Sequence, residues 1–258
     1  SPTSSTMRSK PRWGELSMLK GCGNSFAVRN GIFSAMLARE GFTSAPEPFE
    51  GTYGLCYLLG EFTPRLPVLA DGPRVVQLSH QKTIPADTHS LSIYDLVPRI
   101  RAWASVDEIE TIEIEAPEDT VRHVGDEAKY DPKNRETADH SLPYMLAVAL
   151  VDGKITLDSY KPERFLDPAL RPVMRKIRMS VDAEMDQIHR TQFFGATRPT
   201  PRRITVRTKS GRVFKEEVMY HRGTYNNPMT RDDVNTKLDD ICAGVVGEAQ
   251  RDRIRDAW

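Results

Sequence analysis

The order of its elements makes this an α+β chain: helices first, then mixed strands and helices, then helices again. Three stretches predict it. Leu16–Glu40 has helical spacing, with Phe26, Phe33 and Leu37 on one face. Leu142–Asp152 is an almost wholly apolar run bounded by helix signals. Arg202–Thr208 and Arg212–Tyr220 flank Lys209-Ser210-Gly211 as a β-hairpin.

Taken in order, the first twelve residues, SPTSSTMRSKPR, are polar and basic and lack the apolar core of a secretory signal. They read as a flexible lead-in, with a transit-peptide remnant as the lesser alternative. In the Leu16–Glu40 helix Gly31 costs stability and suggests close packing against a neighbour. YGLCYLLG reads as a short helix, and Phe62–Gly72, with Pro64 and Pro67, as a linker. Val75–Leu78 is a candidate short strand. A helix is expected from about His89 to Arg101, kinked or closed early by Pro98.

Asp107–Ala116 alternates as a half-buried strand. Its glutamates at 108, 110, 113 and 115 then form a solvated face and receive no chemical role. His123 falls in an expected loop, and Lys129–Arg135 is turn-rich. Ser141 is the natural N-cap of the apolar helix. Pro143 stands in its first turn, where no donor is needed, and Gly153 closes it. Ser159–Phe165 suggests another short helix. Asp167-Pro168 starts one expected to reach about Met179, while Asp182–Thr200 is undecided among packing and mobile readings. Thr230 and Asp233 form a capping-box pattern ahead of a helix to Val246; Gly247 ends it and Glu248–Trp258 begins another.

The totals narrow the function. The 258 residues suffice for one large domain or two small ones. At 39% hydrophobic and 28% charged, the chain buries a core yet is fairly polar. Lys+Arg and Asp+Glu both number 36, so no net charge draws it to nucleic acid or to an acidic membrane. No apolar run reaches a membrane span. Cys22, Cys56 and Cys242 are far apart and odd in number, which excludes a metal-spacing motif and a complete disulfide set. A reducing, cytoplasmic setting fits, and a mitochondrial one would fit a eukaryotic source.

The candidate chemistry gathers at the start of the apolar helix. A helix N-terminus carries unpaired N–H groups and the positive end of the dipole, and so favours anions. Asp139, His140, Ser141 and Tyr144 surround that end. The plainer alternative is a capping histidine and a core tyrosine. Lys20, Lys82 and His89 are likewise open to plain readings, as solvated lysines and a capping histidine.

ADHSLPYMLAVALVDGKIT resembles the MmgE/PrpD family, whose members include 2-methylcitrate dehydratases, cis-aconitate decarboxylases and an iminodisuccinate epimerase. The resemblance recurs in KGCGNSFAVRNGIFSAMLAREGFT, IPADTHS and NPMTRDD, in the same order along the chain. It implies part of an all-helical domain interrupted in sequence by an α/β domain, with the C-terminal helices returning to the helical domain. The bounds would be 1–12 for the lead-in, 13–72 for the partial helical domain, 73–222 for the α/β domain and 223–258 for the returning helices. It also implies cofactor-independent, metal-free lyase or epimerase chemistry on a small di- or tricarboxylate. Lys20, ahead of Arg29-Asn30-Gly31, and Lys82 would bind carboxylate, with Ser141 beside them. His89 and His140 would bind carboxylate or relay protons. Tyr144 would donate to the substrate or to developing negative charge.

One departure qualifies the resemblance. Family members carry a long helical N-terminal half with an Asp/Thr/His group near the substrate, and this sequence begins inside that half. The expectation is therefore either a homodimer or a complex with a chain supplying those helices. The alternative is a noncatalytic structural or regulatory subunit, or a fragment. Neither nucleic acid nor membrane is an expected partner.

Overall fold

The computed structural model describes residues 13–60, 62, 79–192 and 199–257. The lead-in at 1–12, nearly all of the linker, the strand Val75–Leu78, Phe193 and Phe194 lie outside them. The described residues divide into two compact units, one of 21–60 with 62, the other of 13–20 with 79–257.

The first unit holds α1 (Gly23–Arg39) and α2 (Leu55–Leu59). The helix expected from Leu16 starts later, because Met18–Gly21 is a 3-10 turn and Lys20 belongs to it. No described residue of this unit is buried. Phe33 is 61% exposed and Met36 52%, so the apolar face of α1 is uncovered among the described residues. Gly31 does not mark close packing: a Cβ there would meet nothing within 4 Å.

The second unit is built on a four-stranded sheet. The helix expected from His89 is broken into a 3-10 turn at Thr88–Ser90, then α3 (Leu91–Tyr94) and α4 (Val97–Trp103). Pro98 stands in the first turn of α4, and the helix expected from His89 is interrupted just ahead of it: α3 ends at Tyr94, whose carbonyl Pro98 has no N–H to meet. Strand β1 (Ile109–Ala116) follows. Next come α5 (Glu118–Val124), α6 (Arg135–Ala138), α7 (Leu142–Asp152), α8 (Pro162–Phe165) and α9 (Arg171–Met174). His123 is thus helical rather than in a loop. The helix expected to reach Met179 stops at Met174. Ile177, Met179 and Val181 alternate with polar residues as β2 (Ile177–Val181), and strand pairing wins there.

The undecided segment after Asp182 forms α10 (Ala183–Gln192). The hairpin is β3 (Arg202–Thr208) and β4 (Val213–Val218). Sheet order is β2-β1-β3-β4. β1 is parallel to β2, with Ile112 opposite Ile177, and antiparallel to β3, with Ile114 opposite Ile204. A parallel pair needs a long crossover, and α5–α9 provide it. Inward Ile112, Ile114, Ile177, Ile204 and Val206 share one core with Leu142, Leu146 and Leu150 of α7. The opposite face is charged: Arg203 reaches Glu115 at 3.3 Å and Glu217 at 3.0 Å. The β1 glutamates are therefore solvated or paired, as their alternation predicts.

Helix α7 is buried all along its first nine residues, Leu142 to Leu150. Gly153 closes it at φ 90°, the left-handed conformation that glycine adopts without strain. The chain ends in α11 (Arg231–Cys242) and α12 (Glu248–Asp256). The Thr230–Asp233 capping box forms, but α11 stops short of Val246, and Gly247 caps α12 instead of ending α11. A groove of about 570 Å³ runs along these helices past Val234, Leu238 and Ile254. Among the described residues no helix is long and apolar enough to cross a membrane.

Candidate functional site

The start of α7 is assembled from short caps. Asn134 caps α6 by accepting from Thr137 N at 2.8 Å. Ser141 caps α7 by accepting from Tyr144 N at 3.0 Å, while its own Oγ donates to Lys129 O. Asp139 and His140 form the corner between the two helices. Asp87 N donates to Asp139 O at 3.2 Å, so the segment before α3 is fastened to that corner.

Lys20 arrives on a separate strap. Gly14 N donates to Asp126 Oδ2 at 3.0 Å, and buried Lys129 donates to Gly14 O at 2.5 Å. Leu16 N donates to Thr137 Oγ1 at 2.9 Å, and Asn134 Nδ2 to Leu16 O at 2.9 Å. The strap ends with Lys20 Nζ on Glu136 O at 2.8 Å, on Asp139 Oδ1, and 3.1 Å from His140 Nδ1.

His140 therefore has a carboxylate at each ring nitrogen. Its Nδ1 is 2.5 Å from Asp139 Oδ1 and its Nε2 is 3.3 Å from Asp87 Oδ2. Burial lowers the Lys20 pKa from the usual lysine value, against the opposing pull of Asp139. Burial alone would raise Asp139, but hydrogen bonds from His140 and Lys20 hold it below the ordinary carboxylate value. Asp87 is also lowered: burial opposes this, and the charges of His89, His140 and Lys82 with the His89 N–H outweigh it. Lys82 is exposed and touches the site through that charge alone.

Asp87 links this corner to a second cluster. Its Oδ1 accepts from His89 N at 2.9 Å. The His89 ring lies against Thr120 Oγ1 at 3.0 Å and stacks on His123, with centroids 5.1 Å apart and planes 10° apart. Asp119 Oδ1 is 2.9 Å from His123 Nδ1, and its Oδ2 is 3.9 Å from both His89 Nε2 and His189 Nε2. Arg202, 1% exposed, donates to His89 O at 3.2 Å. Burial lowers His89 to about 4, helped by Arg202 and His123 and opposed by Asp87. The His123 hydrogen bond holds Asp119 at about 2.

Ligand atoms of His89, Asp119 and His123 lie within 4.8 Å of one another, close enough to consider a metal. An imidazole binds a metal in its own plane. Because these rings are stacked nearly parallel, an ion in the plane of one lies off the plane of the other, and a ring must turn before both can ligate. The donor set suits a cation, but the stacked arrangement does not.

Of the residues nominated from sequence, the structure brings Lys20 and His140 into contact and ties His89 to them through Asp87, while exposed Lys82 adds only positive charge nearby. It sets Ser141 and Tyr144 apart. Ser141 is fully buried, with both its hydrogen-bonding roles taken by Lys129 O and Tyr144 N. Tyr144 is fully buried and its phenol donates to Ser159 O. Burial raises its pKa. Both hydroxyls make structural hydrogen bonds here, because the first turn of a fully buried helix must satisfy its polar groups internally. Asp87 was missed, although an Asp immediately ahead of a helical turn, as in PADTHS, is a capping signal.

Comparison with known proteins identifies the family. The model of the MmgE/PrpD C-terminal domain matches residues 85–257. The chain is 21% identical over 258 residues to a cis-aconitate decarboxylase-like protein of Aspergillus oryzae, covering 93% of this chain and 51% of that protein. It is 25% identical over 143 residues to cis-aconitate decarboxylase of Mus musculus, covering 55% of this chain and 27% of that protein. The chain thus spans about half the length, or less, of the curated relatives it matches. The family match takes in α3 through α12, and with it Asp87, His89, Asp139 and His140: the chain belongs to the MmgE/PrpD family.

Proposed function

We propose that this chain is the C-terminal part of a cofactor-independent lyase, a dehydratase or decarboxylase, acting on a small di- or tricarboxylate such as 2-methylcitrate or cis-aconitate. The observation that carries this reading is the Lys20–His140 pair, 3.1 Å apart beside the N-terminus of α7. Two potential cations and a helix end give a carboxylate substrate charge, donors and orientation together.

In a dehydration a base takes the proton α to a carboxylate and the β-hydroxyl leaves as water. In a decarboxylation the bond to the departing carboxylate breaks and the carbanion is protonated. Both routes build enolate-like charge, which Lys20 and His140 would stabilise by charge and hydrogen bonding. Asp139 and Asp87 now take the places a substrate carboxylate would compete for, so substrate binding would require these ion pairs to rearrange. The exposed apolar side chains of α1, Phe33 and Met36 among them, support packing against further helices, from a partner chain or a second copy.

The second reading, a noncatalytic subunit, is favoured by those same filled ion pairs. Turnover of cis-aconitate and 2-methylcitrate by the chain alone, and with whatever copurifies from its source, separates the two. The lyase reading expects activity, at least in the copurified sample, and a loss of at least a hundredfold in Lys20→Ala. Inactivity in both samples supports the noncatalytic subunit.

A further inference from the structure

The two carboxylates that flank His140 are not held alike. Asp87 is committed on every side. Its side chain is 9% exposed; Oδ1 accepts from His89 N at 2.9 Å as the cap of the Thr88–Ser90 turn, and Oδ2 meets His140 Nε2 at 3.3 Å. Asp139 is the most open member of the corner, with its side chain 29% exposed against 13% for Lys20 and 14% for His140. A single oxygen, Oδ1, meets both Lys20 Nζ and His140 Nδ1. The backbone around it is fixed independently: Asp139 N donates to Arg135 O at 3.0 Å, and Asp139 O accepts from Asp87 N at 3.2 Å. Lys20 Nζ has a further anchor on Glu136 O at 2.8 Å. Rotation of the Asp139 side chain alone therefore frees Lys20 Nζ and His140 Nδ1 together, with no shift of α6 or α7.

We infer that Lys20 Nζ and His140 Nδ1 form a carboxylate subsite that Asp139 fills as a placeholder, and that a di- or tricarboxylate enters by turning the Asp139 side chain out while Asp87 stays. The inference rests on the carboxylate-site reading above. One carboxylate oxygen shared by an ammonium and an imidazole nitrogen is the contact that a ligand carboxylate makes with such a pair. Asp139 lies on the solvated side, so its displaced charge returns to water. Displacing Asp87 would instead strand a charge in the interior. An internal occupant lowers the apparent affinity in proportion to the fraction of molecules in which the subsite stands open. Removing the charge of the placeholder then tightens ligand binding, whereas removing a carboxylate that merely positions Lys20 weakens it.

The test uses the whole chain, with tricarballylate as an unreactive tricarboxylate probe. Calorimetric affinity is measured for wild type, Asp139→Asn, Asp87→Asn and Lys20→Ala. Expected are binding at least tenfold tighter in Asp139→Asn, no tightening in Asp87→Asn and at least a tenfold loss in Lys20→Ala. Equal tightening in the two aspartate variants means a general relief of negative charge around His140 and overturns the placeholder. Unchanged or weaker binding in Asp139→Asn overturns it too, and together with a loss in Lys20→Ala leaves the carboxylate site standing. Aspartate 13Cγ NMR of the wild type gives a reading that needs no variant: on saturation the Asp139 signal should shift and the Asp87 signal should not. Movement of both signals, or of neither, overturns the proposal. Binding by Asp139→Asn where wild type binds too weakly to measure supports it. No binding by either overturns the proposal and the carboxylate-site reading together.

Discussion

His89 and His123 lie face to face, 5.1 Å between ring centroids, and are driven in opposite directions by their surroundings. Burial takes His89 down to about 4. His123 is raised above the usual histidine value: burial opposes this, but the hydrogen bond and charge of Asp119 outweigh it. Near neutral pH the stack therefore pairs a neutral ring with one biased toward the cation. Histidine titrations followed by 15N–1H NMR should show His89 neutral down to about pH 4 and His123 titrating above 6.5. Asp119→Asn should bring His123 down and leave His89 the more nearly neutral ring. A common midpoint for the two rings would refute the assignment.

A second buried imidazole adds to the protein's sensitivity to acid. His221 is fully buried, with Nδ1 2.8 Å from Arg222 O and its ring edge-on to His80 at 5.3 Å. Burial lowers it to about 4, and His80 and Arg202 add to this. The unfolded chain binds a proton here below about pH 6.5, and the folded chain does so only near 4. Between those values the unfolded state holds more protons, so stability falls as pH falls. The full displacement is worth about 3 kcal/mol. Urea unfolding at pH 7 and pH 4.5 should show most of that loss, and His221→Phe should reduce it. An equal loss in the variant would show that other groups govern acid sensitivity.

The helix α7 was legible because its signals are local: a serine cap, a proline in the first turn, an apolar run and a closing glycine lie within thirteen consecutive positions, 141–153. The hairpin was legible for the same reason. β2 was not, since Ile177–Val181 becomes a strand only through pairing with β1, some sixty positions earlier in sequence. The site divides in the same way. His140 and Lys20 stood out through a resemblance, but that Asp87 joins His89 to His140 is a tertiary fact. The same holds for Tyr144, whose hydroxyl looks free in sequence and is consumed by a carbonyl fifteen residues on.

That consumption has a measurable cost. In Tyr144→Phe the carbonyl of Ser159 loses its phenolic donor inside the core. An unsatisfied buried acceptor costs about 1–3 kcal/mol, and the ring itself still fills its site. Urea denaturation should give a lowered midpoint with little change in slope. A variant as stable as wild type would show that the Tyr144 hydroxyl contributes nothing to the fold and would return it to the list of candidate substrate contacts.

The position of Lys20 depends on a lysine distant from it in sequence. Lys129 is fully buried; its ammonium reaches Gly14 O at 2.5 Å and Asp126 Oδ2 at 3.0 Å, and Asp126 also accepts from Gly14 N. These bonds pin the beginning of the strap that ends at Lys20. In Lys129→Met the side chain keeps its length and loses the charge and both donors. Gly14 O is left without its partner and Asp126 without its counter-ion. Asp126 is partly exposed and retains backbone donors from Gly14 and Ala128, so the loss is smaller than the about 3–5 kcal/mol typical of breaking a fully buried pair. About 2 kcal/mol is expected, concentrated in the strap. Hydrogen exchange at Gly14 and Leu16 should quicken at least tenfold while α7 amides stay protected, because α7 does not depend on the strap for its core. Once released from Asp139 and from burial, Lys20 should titrate closer to an ordinary lysine, which 13Cε-lysine NMR reads directly. Rapid exchange in the strap with an unmoved Lys20 signal would show that Glu136 and Asp139 hold the ammonium unaided.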